Sequence, residues 1–303
     1  MVLAFGGGAL YVFVRIKCWN AFLKNNFDAK LCKNMLRFSI PMIFAVTSWW
    51  IMNSISKYMI IDFFGIDESG IYGVAQKIPT IISVLSSIFI QAWQVSAIDA
   101  HGEQDTSAFY TNVYKIYETG LFVAATCLIL VTKPLATLLF QRDYFEAYVY
   151  VPILVLSCVF SCLSSFMQGI FVAKKKSGVL LSSTLVGAVV SIVSSYLLLT
   201  FVGTMGAAYA TLFGFIVAWV VRMVISRKFV DMNLNWFKTI FSMLLLLVES
   251  IIISNDFQYG MLFSGIIVIF IMLLHFSEIL TVFNGIVNMI RRRIQICSKG
   301  KRY

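Results

Sequence analysis

Long apolar stretches, broken by short polar or basic segments, run through most of the chain. Eight are long enough to cross a bilayer as helices: 38–62, 71–98, 111–131, 147–173, 178–201, 205–226, 236–254 and 260–283. A helix rises about 1.5 Å per residue and a hydrocarbon core is about 30 Å thick. The pattern predicts an all-α, polytopic transmembrane helical bundle. Residues 1–14 are apolar but too short to span, and read as the end of a helix whose beginning is missing. They do not read as a signal peptide, because their basic residues follow the apolar run instead of preceding it. The expected organisation is a partial helix at 1–14, a basic cytoplasmic connection at 15–37 and six spans over 38–226. Two C-terminal spans over 227–290 and a basic cytoplasmic tail at 291–303 complete it.

Composition narrows the class. Of 303 residues, 60% are hydrophobic and 13% charged. A soluble domain has about 45–50% apolar and about 25% charged residues. Half the usual charge cannot cover a water-facing surface. The net charge of +10 raises the question of nucleic acid, and its distribution answers it. With 15–37 placed in the cytoplasm, strict alternation puts twenty Lys and Arg on cytoplasmic stretches, Arg222 among them. Only Lys133 and Arg142 fall outside, and Lys57 and Lys77 lie within or near helices. That bias follows the positive-inside rule. Scattered over separate loops, these residues form no nucleic-acid surface. The acidic 99–105 stretch is placed inside without a basic residue of its own. The tail "RRRIQICSKGKRY" is expected to lie on anionic membrane lipids. Trp236 and Tyr259 read as interfacial anchors.

Candidate chemistry comes from polar residues inside apolar runs. In "SWWIMNSISKYMI", residues 48–60, a helical wheel puts Trp49, Trp50, Asn53, Ser56 and Lys57 on one face. The next span carries Gln76, Thr80, Ser83, Ser87, Gln91 and Gln94 at helical spacing, with Lys77 on the edge and Pro79 bending the entry turn. Such residues can be interhelical glue. Alternatively the two stripes face each other across a wet cavity, where Lys57 and Lys77 meet an anion. The second reading is preferred, since six residues in one unbroken stripe exceed what packing needs. Substrate-binding candidates are therefore Trp49, Trp50, Asn53, Lys57, Lys77, Thr80, Ser83, Ser87, Gln91 and Gln94.

Two acids are weaker candidates for a coupling ion. Glu118 lies well inside its span with Lys115 one turn away, and can serve as a proton or cation site or as half of a neutral interfacial pair. Glu249 sits deep in "LLLLVESIII", where a packing acid facing a polar neighbour is the simpler account; Glu278 and His275 lie at the end of the last span. The six cysteines contain no CxxC pair, and Cys158 and Cys162 one turn apart read as buried thiols. No metal, cofactor or catalytic set is expected, and the short connections hold no soluble catalytic domain.

Four stretches together resemble a known family: "LRFSIPMIFAVTSWWIMNSISKYMI", "GIYGVAQKIPTIISVLSSIFIQAWQVSAI", "YVPILVLSCVFSCLSSFMQGIFVAKKK" and "GTMGAAYATLFGFIVAWVVRM". Over most of 36–226 the chain resembles the Wzx-type polysaccharide flippases of the multidrug/oligosaccharidyl-lipid/polysaccharide exporter superfamily. Trp49, Trp50 and Asn53 match the family's Trp-Trp-x-x-Asn run, and Gln91, Trp93 and Gln94 match its Gln-Ala-Trp-Gln run. An Asp-Arg pair common in the family reads Ser56-Lys57 here, so the cation is kept and the acid is lost. The resemblance implies two six-helix lobes around a cavity, of which this chain offers the second, two terminal helices and the end of the first. It implies transport of undecaprenyl-pyrophosphate-linked oligosaccharide across a bacterial cytoplasmic membrane for O-antigen, capsule or exopolysaccharide synthesis, driven by cation antiport. The implied partners are that lipid-linked substrate, membrane lipids, a polysaccharide polymerase and chain-length proteins.

The expectation is a truncated flippase. Competing readings are a multidrug cation antiporter of the same superfamily, a membrane-embedded glycan polymerase or acyltransferase, and an inert fragment. The basic, amide-rich stripes argue against the antiporter, and the short outer loops argue against the polymerase.

Overall fold

The computed structural model describes residues 6–8, 11, 14, 15, 28–99, 106–140, 142–257, 259–281 and 284. Most of the 1–14 helix, all but the first residue of the 99–105 stretch, and the 291–303 tail lie outside the described residues. The helices are α1 (Ala29–Phe64), α2 (Ile66–Ala75), α3 (Thr80–Asp99), α4 (Thr106–Leu130) and α5 (Thr132–Leu139). A 3₁₀ segment, Arg142–Val149, follows. Then come α6 (Val151–Ala173), α7 (Ser177–Val202), α8 (Met205–Ser226), α9 (Trp236–Ser254) and α10 (Gly260–Leu274). Among the described residues no strand occurs. Seven of these helices are long and apolar enough to cross a membrane, and α10, at 15 residues, is shorter. The protein is an all-α, multi-pass membrane bundle.

The chain divides into two compact units, Met1–Ile40 and Pro41–Tyr303. Within the first, the described part of α1 leaves Leu31, Met35, Leu36 and Ile40 exposed.

The first expected span, 38–62, lies within the longer α1, which begins at Ala29 inside the expected 15–37 connection. Three other expected spans differ from the observed helices, each for a local reason. The 71–98 stretch is not one helix: it breaks at residues 76–79, because Pro79 has no N–H for the ladder, and restarts at Thr80. The 147–173 stretch becomes α-helical only at Val151, after the 3₁₀ segment, with Pro152 in the first turn, where its missing N–H costs nothing. The 260–283 stretch is interrupted at His275, which caps α10, and a further helical turn occupies 276–281. Sharp connections use glycine in the left-handed region: Gly65 (φ 95°) between α1 and α2, and Gly203 (φ 74°) between α7 and α8.

The bundle is organised around α6, which is buried on all sides. A helix this apolar belongs in a core or a membrane, and α6 is in both. Against it α3 lays Trp93, whose ring stacks on Phe166 at 4.3 Å and whose Nε1 donates to the Phe166 carbonyl at 3.1 Å. The indole occupies the space above Gly169, where a Cβ would lie 2.6 Å from Trp93 Nε1. From α4, Tyr117 donates to the Cys162 carbonyl at 3.2 Å, and Tyr110 packs edge-on to Trp93 while donating to the Ala97 carbonyl at 2.8 Å. Trp93 is thus a packing residue.

α7 and α8 approach closely through small residues. A Cβ at Gly187 would stand 2.8 Å from the Gly214 carbonyl oxygen, and one at Gly214 would stand 2.8 Å from Ser191 Cβ. The fully buried Met52 of α1 reaches the same crossing. Lipid provides no hydrophobic drive to association, so close packing of this kind must supply it. One turn along, Ser56 Oγ meets Thr211 Oγ1 at 2.9 Å and Ser195 Oγ at 3.4 Å. Ser56 therefore belongs to the face of α1 that packs on α7 and α8, apart from its expected companions Trp49 and Asn53.

α9 is tied to α6 and to the segment before it by Ser250 donating to the Pro152 carbonyl (3.2 Å) and Ser254 to the Val149 carbonyl (2.8 Å). Just past its end, Asp256 adopts a left-handed conformation (φ 53°) and pairs with Lys133 of α5. Large apolar side chains such as Ile88, Tyr196 and Ile266 remain exposed on the bundle's outside, as a lipid-facing surface requires.

Two predictions follow from this packing. Gly187→Leu should destabilise the bundle by about 1–3 kcal/mol through overpacking, read as a lower thermal midpoint in detergent. Gly178→Leu in the same helix has open space around it and should leave the midpoint unchanged. The second concerns pH. The hydrogen bond from Lys133, and then its charge, hold the Asp256 carboxyl below its ordinary value. Such a group stabilises the fold above its unfolded pKa and loses that contribution as pH falls through the folded one. The thermal-midpoint difference between wild type and Asp256→Asn should shrink on acidification below the ordinary carboxylate range; a difference constant with pH would contradict the assignment.

Candidate functional site

A cavity of about 550 Å³, lined by many hydroxyl and amide side chains, lies between α1, α3, α6 and α8. α1 contributes Trp49 and Asn53. Asn53 Nδ2 donates back to the Trp49 carbonyl at 2.9 Å, which leaves its amide oxygen available. The Trp49 indole N–H points to Ser161 Oγ at 3.4 Å. α3 contributes Thr80, Ser83, Ser87 and Gln91 along one face, all exposed to the cavity, and Gln76 and Pro79 close its end. Ser83 Oγ sits 3.1 Å from Cys158 Sγ on α6.

Ten residues were expected here, and six of them line this cavity: Trp49, Asn53, Thr80, Ser83, Ser87 and Gln91. Trp50, Lys57, Lys77 and Gln94 do not. Trp50 is 53% exposed, one residue and about 100° around the helix from Trp49. Lys57 turns its ammonium toward α2, where a Cβ at Gly73 would lie 3.8 Å from Nζ. Lys77 falls in the break before Pro79, where the helical register of α3 no longer applies. Gln94 stands beside the core-facing Trp93 and is half-buried. Lys57 and Lys77 lie near one another but outside the lining of this cavity.

Residues that the sequence reading did not select complete the wall. On α6, Ser157, Ser161 and Ser165 recur every four residues, with Gln168 three further on. This is the same signal as the α3 stripe, hidden by the apolar residues that make α6 a core helix. Thr211 and Phe215 come from α8.

A smaller compartment of about 120 Å³ shares Trp49 and Ser165 with the main cavity and adds Gln168, Thr184 and Arg222. Arg222 is only 4% exposed, although its position in the sequence suggested a cytoplasmic loop cation. Its Nε donates to Ser183 Oγ at 3.0 Å and its Nη1 to the Ser164 carbonyl at 2.7 Å. Among the described residues no carboxylate pairs with it. A guanidinium has five N–H donors in a planar fork suited to oxyanions, and two bonds to neutral acceptors leave capacity unused.

The two acids lie elsewhere. Glu249 is fully buried between α9 and α10, where Ser264 Oγ donates to Oε1. Glu118 is 4% exposed and lines a separate polar cavity with Lys115, Lys238, Thr239, His275 and Glu278. Glu118 makes no ion pair with Lys115; the pair in that cavity is Lys238–Glu278, at 2.6 Å. Cys158 and Cys162 are free thiols, both buried, with sulfurs 3.9 Å apart.

Taken together, hydroxyls, amides, an indole and one buried guanidinium are disposed to hold a polar, oxygen-rich molecule within the membrane. Comparison with known proteins bears on what such a bundle is. Residues 1–95 match a family described as polysaccharide biosynthesis protein. The lipid II flippase MurJ, in an inward closed conformation, superposes with a TM-score of 0.57 at 14% identity, over 87% of this chain and 57% of that one. The fold is shared with a lipid flippase. This, with the family match, supports a flippase- or exporter-type family. An outward-facing multidrug resistance MATE family transporter of the MOP superfamily gives a TM-score of 0.41 at 17% identity, covering 81% of this chain and 63% of that one. A MOP superfamily transporter from Pyrococcus furiosus gives 0.42 at 16%, with the same coverage. No curated protein matches the chain. The chain spans 57% of the length of the flippase structure.

Water access to the main cavity can be measured. In a chain whose six native cysteines are replaced, Ser87→Cys and Gln91→Cys should react with a hydrophilic maleimide. Ser56→Cys, in the buried hydroxyl contact with Thr211, should not. Equal protection of all three would mean that the α3 face is sealed.

Proposed function

We propose that this chain forms one wall of a path by which a lipid-linked oligosaccharide crosses a bacterial cytoplasmic membrane during surface polysaccharide synthesis. The observation that carries this reading is the wall itself: Asn53, Thr80, Ser83, Ser87 and Gln91 face Ser157, Ser161 and Ser165 across one cavity inside the bundle. Hydroxyl and amide side chains exchange hydrogen bonds with sugar hydroxyls in either donor or acceptor sense. The Trp49 ring offers a flat apolar face for the carbon skeleton of a sugar. In the adjoining compartment Arg222 suits a phosphate oxygen. The likeness to a lipid II flippase and the match to a polysaccharide biosynthesis family favour the same cargo class.

Transport follows from alternating access: the polar wall substitutes for water around the head group, while the lipid chain stays on the apolar outside. No step makes or breaks a bond of the cargo. A wall without a carboxylate is unsuited to a cationic drug, so the geometry favours the glycan over the multidrug reading.

The test is the double variant Asn53→Ala/Gln91→Ala in the chromosomal gene. Two lost hydrogen bonds of about 1 kcal/mol each correspond to a roughly thirtyfold weaker hold on the head group. Surface polysaccharide should fall sharply, and the lipid-linked precursor should accumulate on the cytoplasmic face, at unchanged protein level by immunoblot. Normal surface polysaccharide in that variant would overturn the proposal.

A further inference from the structure

Glu118 and the groups around it form a second polar cavity, of about 240 Å³, walled by α4, the start of α9 and the helical turn after α10. Among its titratable members Lys238, Glu278 and His275 are engaged. Lys238 and Glu278 pair at 2.6 Å. His275, 2% exposed, engages Thr119 Oγ1 through Nδ1 (2.8 Å) and Ser242 Oγ through Nε2 (3.0 Å). Glu118 Oε1 is buried and has no hydrogen-bond partner. A buried carboxylate oxygen without a donor is costly to keep charged, and taking up a proton removes that cost.

We propose that Glu118 is a proton-binding site, opened by this cavity to the end of the bundle that carries Lys115 and Lys238. The occupant follows from the local charge. Lys115 and Lys238 balance Glu118 and Glu278, so the ionised cluster is neutral and offers no excess negative charge to a metal ion. A metal cation also needs several free oxygens, whereas Glu278 is already committed to Lys238. A proton needs only the one free oxygen, and its arrival changes the cluster to a charge of plus one.

Few titratable groups pack around Glu118, and both ring nitrogens of His275 are hydrogen-bonded. On its own helix stand Lys115 and Tyr114, whose hydroxyl is buried without a partner. α9 brings Lys238, and the turn after α10 brings His275 and Glu278. α6, which packs on α4, contains no Asp, Glu, Lys, Arg or His. On α8, Arg222 is turned to Ser164 and Ser183. In the transfer step a hydronium ion entering from the water at the cavity mouth gives its proton to the carboxylate oxygen and leaves as water, and release is the reverse. The added charge acts across the contact between α4 and the α9–α10 pair, so proton occupancy biases how those helices pack. The inference does not depend on the identity of the cargo.

The test uses the purified full chain in phospholipid nanodiscs, with no cargo, followed by infrared difference spectroscopy over a pH titration. The protonated-carboxyl stretch should contain a component that grows on acidification, shifts promptly on exchange into D₂O, and is lost in Glu118→Gln. It should persist in Glu249→Gln, which removes the other buried carboxyl. Glu118→Asp should keep the band at a displaced midpoint, which covers the case of Glu118→Gln failing to fold. An unchanged titrating band in Glu118→Gln, its loss in Glu249→Gln instead, or no titrating band in the wild type would each overturn the proposal. Because transport is not measured, failure here is distinct from failure of the glycan reading.

Discussion

Lipid is as apolar as leucine, so bringing two apolar helices together inside it yields no hydrophobic gain, and association has to come from contact and hydrogen bonding. α6 is where this constraint is met. α3, α4, α8 and α9 all pack on it, and each fixed contact uses either a small residue or a polar group satisfied by the α6 backbone. Trp93 fits above Gly169 and donates to the Phe166 carbonyl; Tyr117 donates to Cys162; Ser250 donates to Pro152; Arg222 donates to Ser164. Every one of these bonds ends on a carbonyl of the same helix, so a disturbance of α6 reaches all of its neighbours.

The same helix makes the cavity. One face of α6 is committed to the aromatic contacts with α3 and α4, and a serine at every fourth position along another face keeps that side narrow and polar. α1 and α3 stand off from it far enough to leave about 550 Å³. The opening is thus a consequence of side-chain size: where α6 presents serine, the space between helices remains; where it presents Phe166 or Met167, it is filled. A core helix and a binding wall coexist because the two sets of residues occupy different sides of one cylinder.

Charge is handled with equal economy. Two lysines, two glutamates and a histidine lie around one small cavity, with Lys238 and Glu278 paired. Arg222, alone in its compartment, is held by a hydroxyl and a carbonyl, neither of which neutralises it. Lys133 and Asp256, at the turn after α9, join elements distant in sequence where water can solvate both. An unneutralised buried cation is the least expected of these arrangements on structural grounds alone, and in the functional reading it is the one whose charge has a use.

How much of this was legible in the residues depends on how far each signal reaches. Apolar length is local, so the helices and the membrane class follow from sequence, and the 4-and-3 spacing of Thr80, Ser83, Ser87 and Gln91 places them on one face because helical rotation is fixed. That extrapolation stops at a break: Pro79 ends the register, and Lys77 leaves the stripe. Nor does a wheel say what a face meets. Ser56 and Trp49 share a broad polar arc, but Gly187 and Gly214 let α7 and α8 come close enough to take Ser56 into a packed contact, while Trp49 stays at the cavity. Counting loop charges could not reveal that Arg222 is buried, nor that Glu118 would find Lys238 and His275, more than a hundred residues away, as its neighbours. Periodicity is a property of one helix, whereas burial and partnership are properties of two, and only the interhelical distances set by small residues decide them.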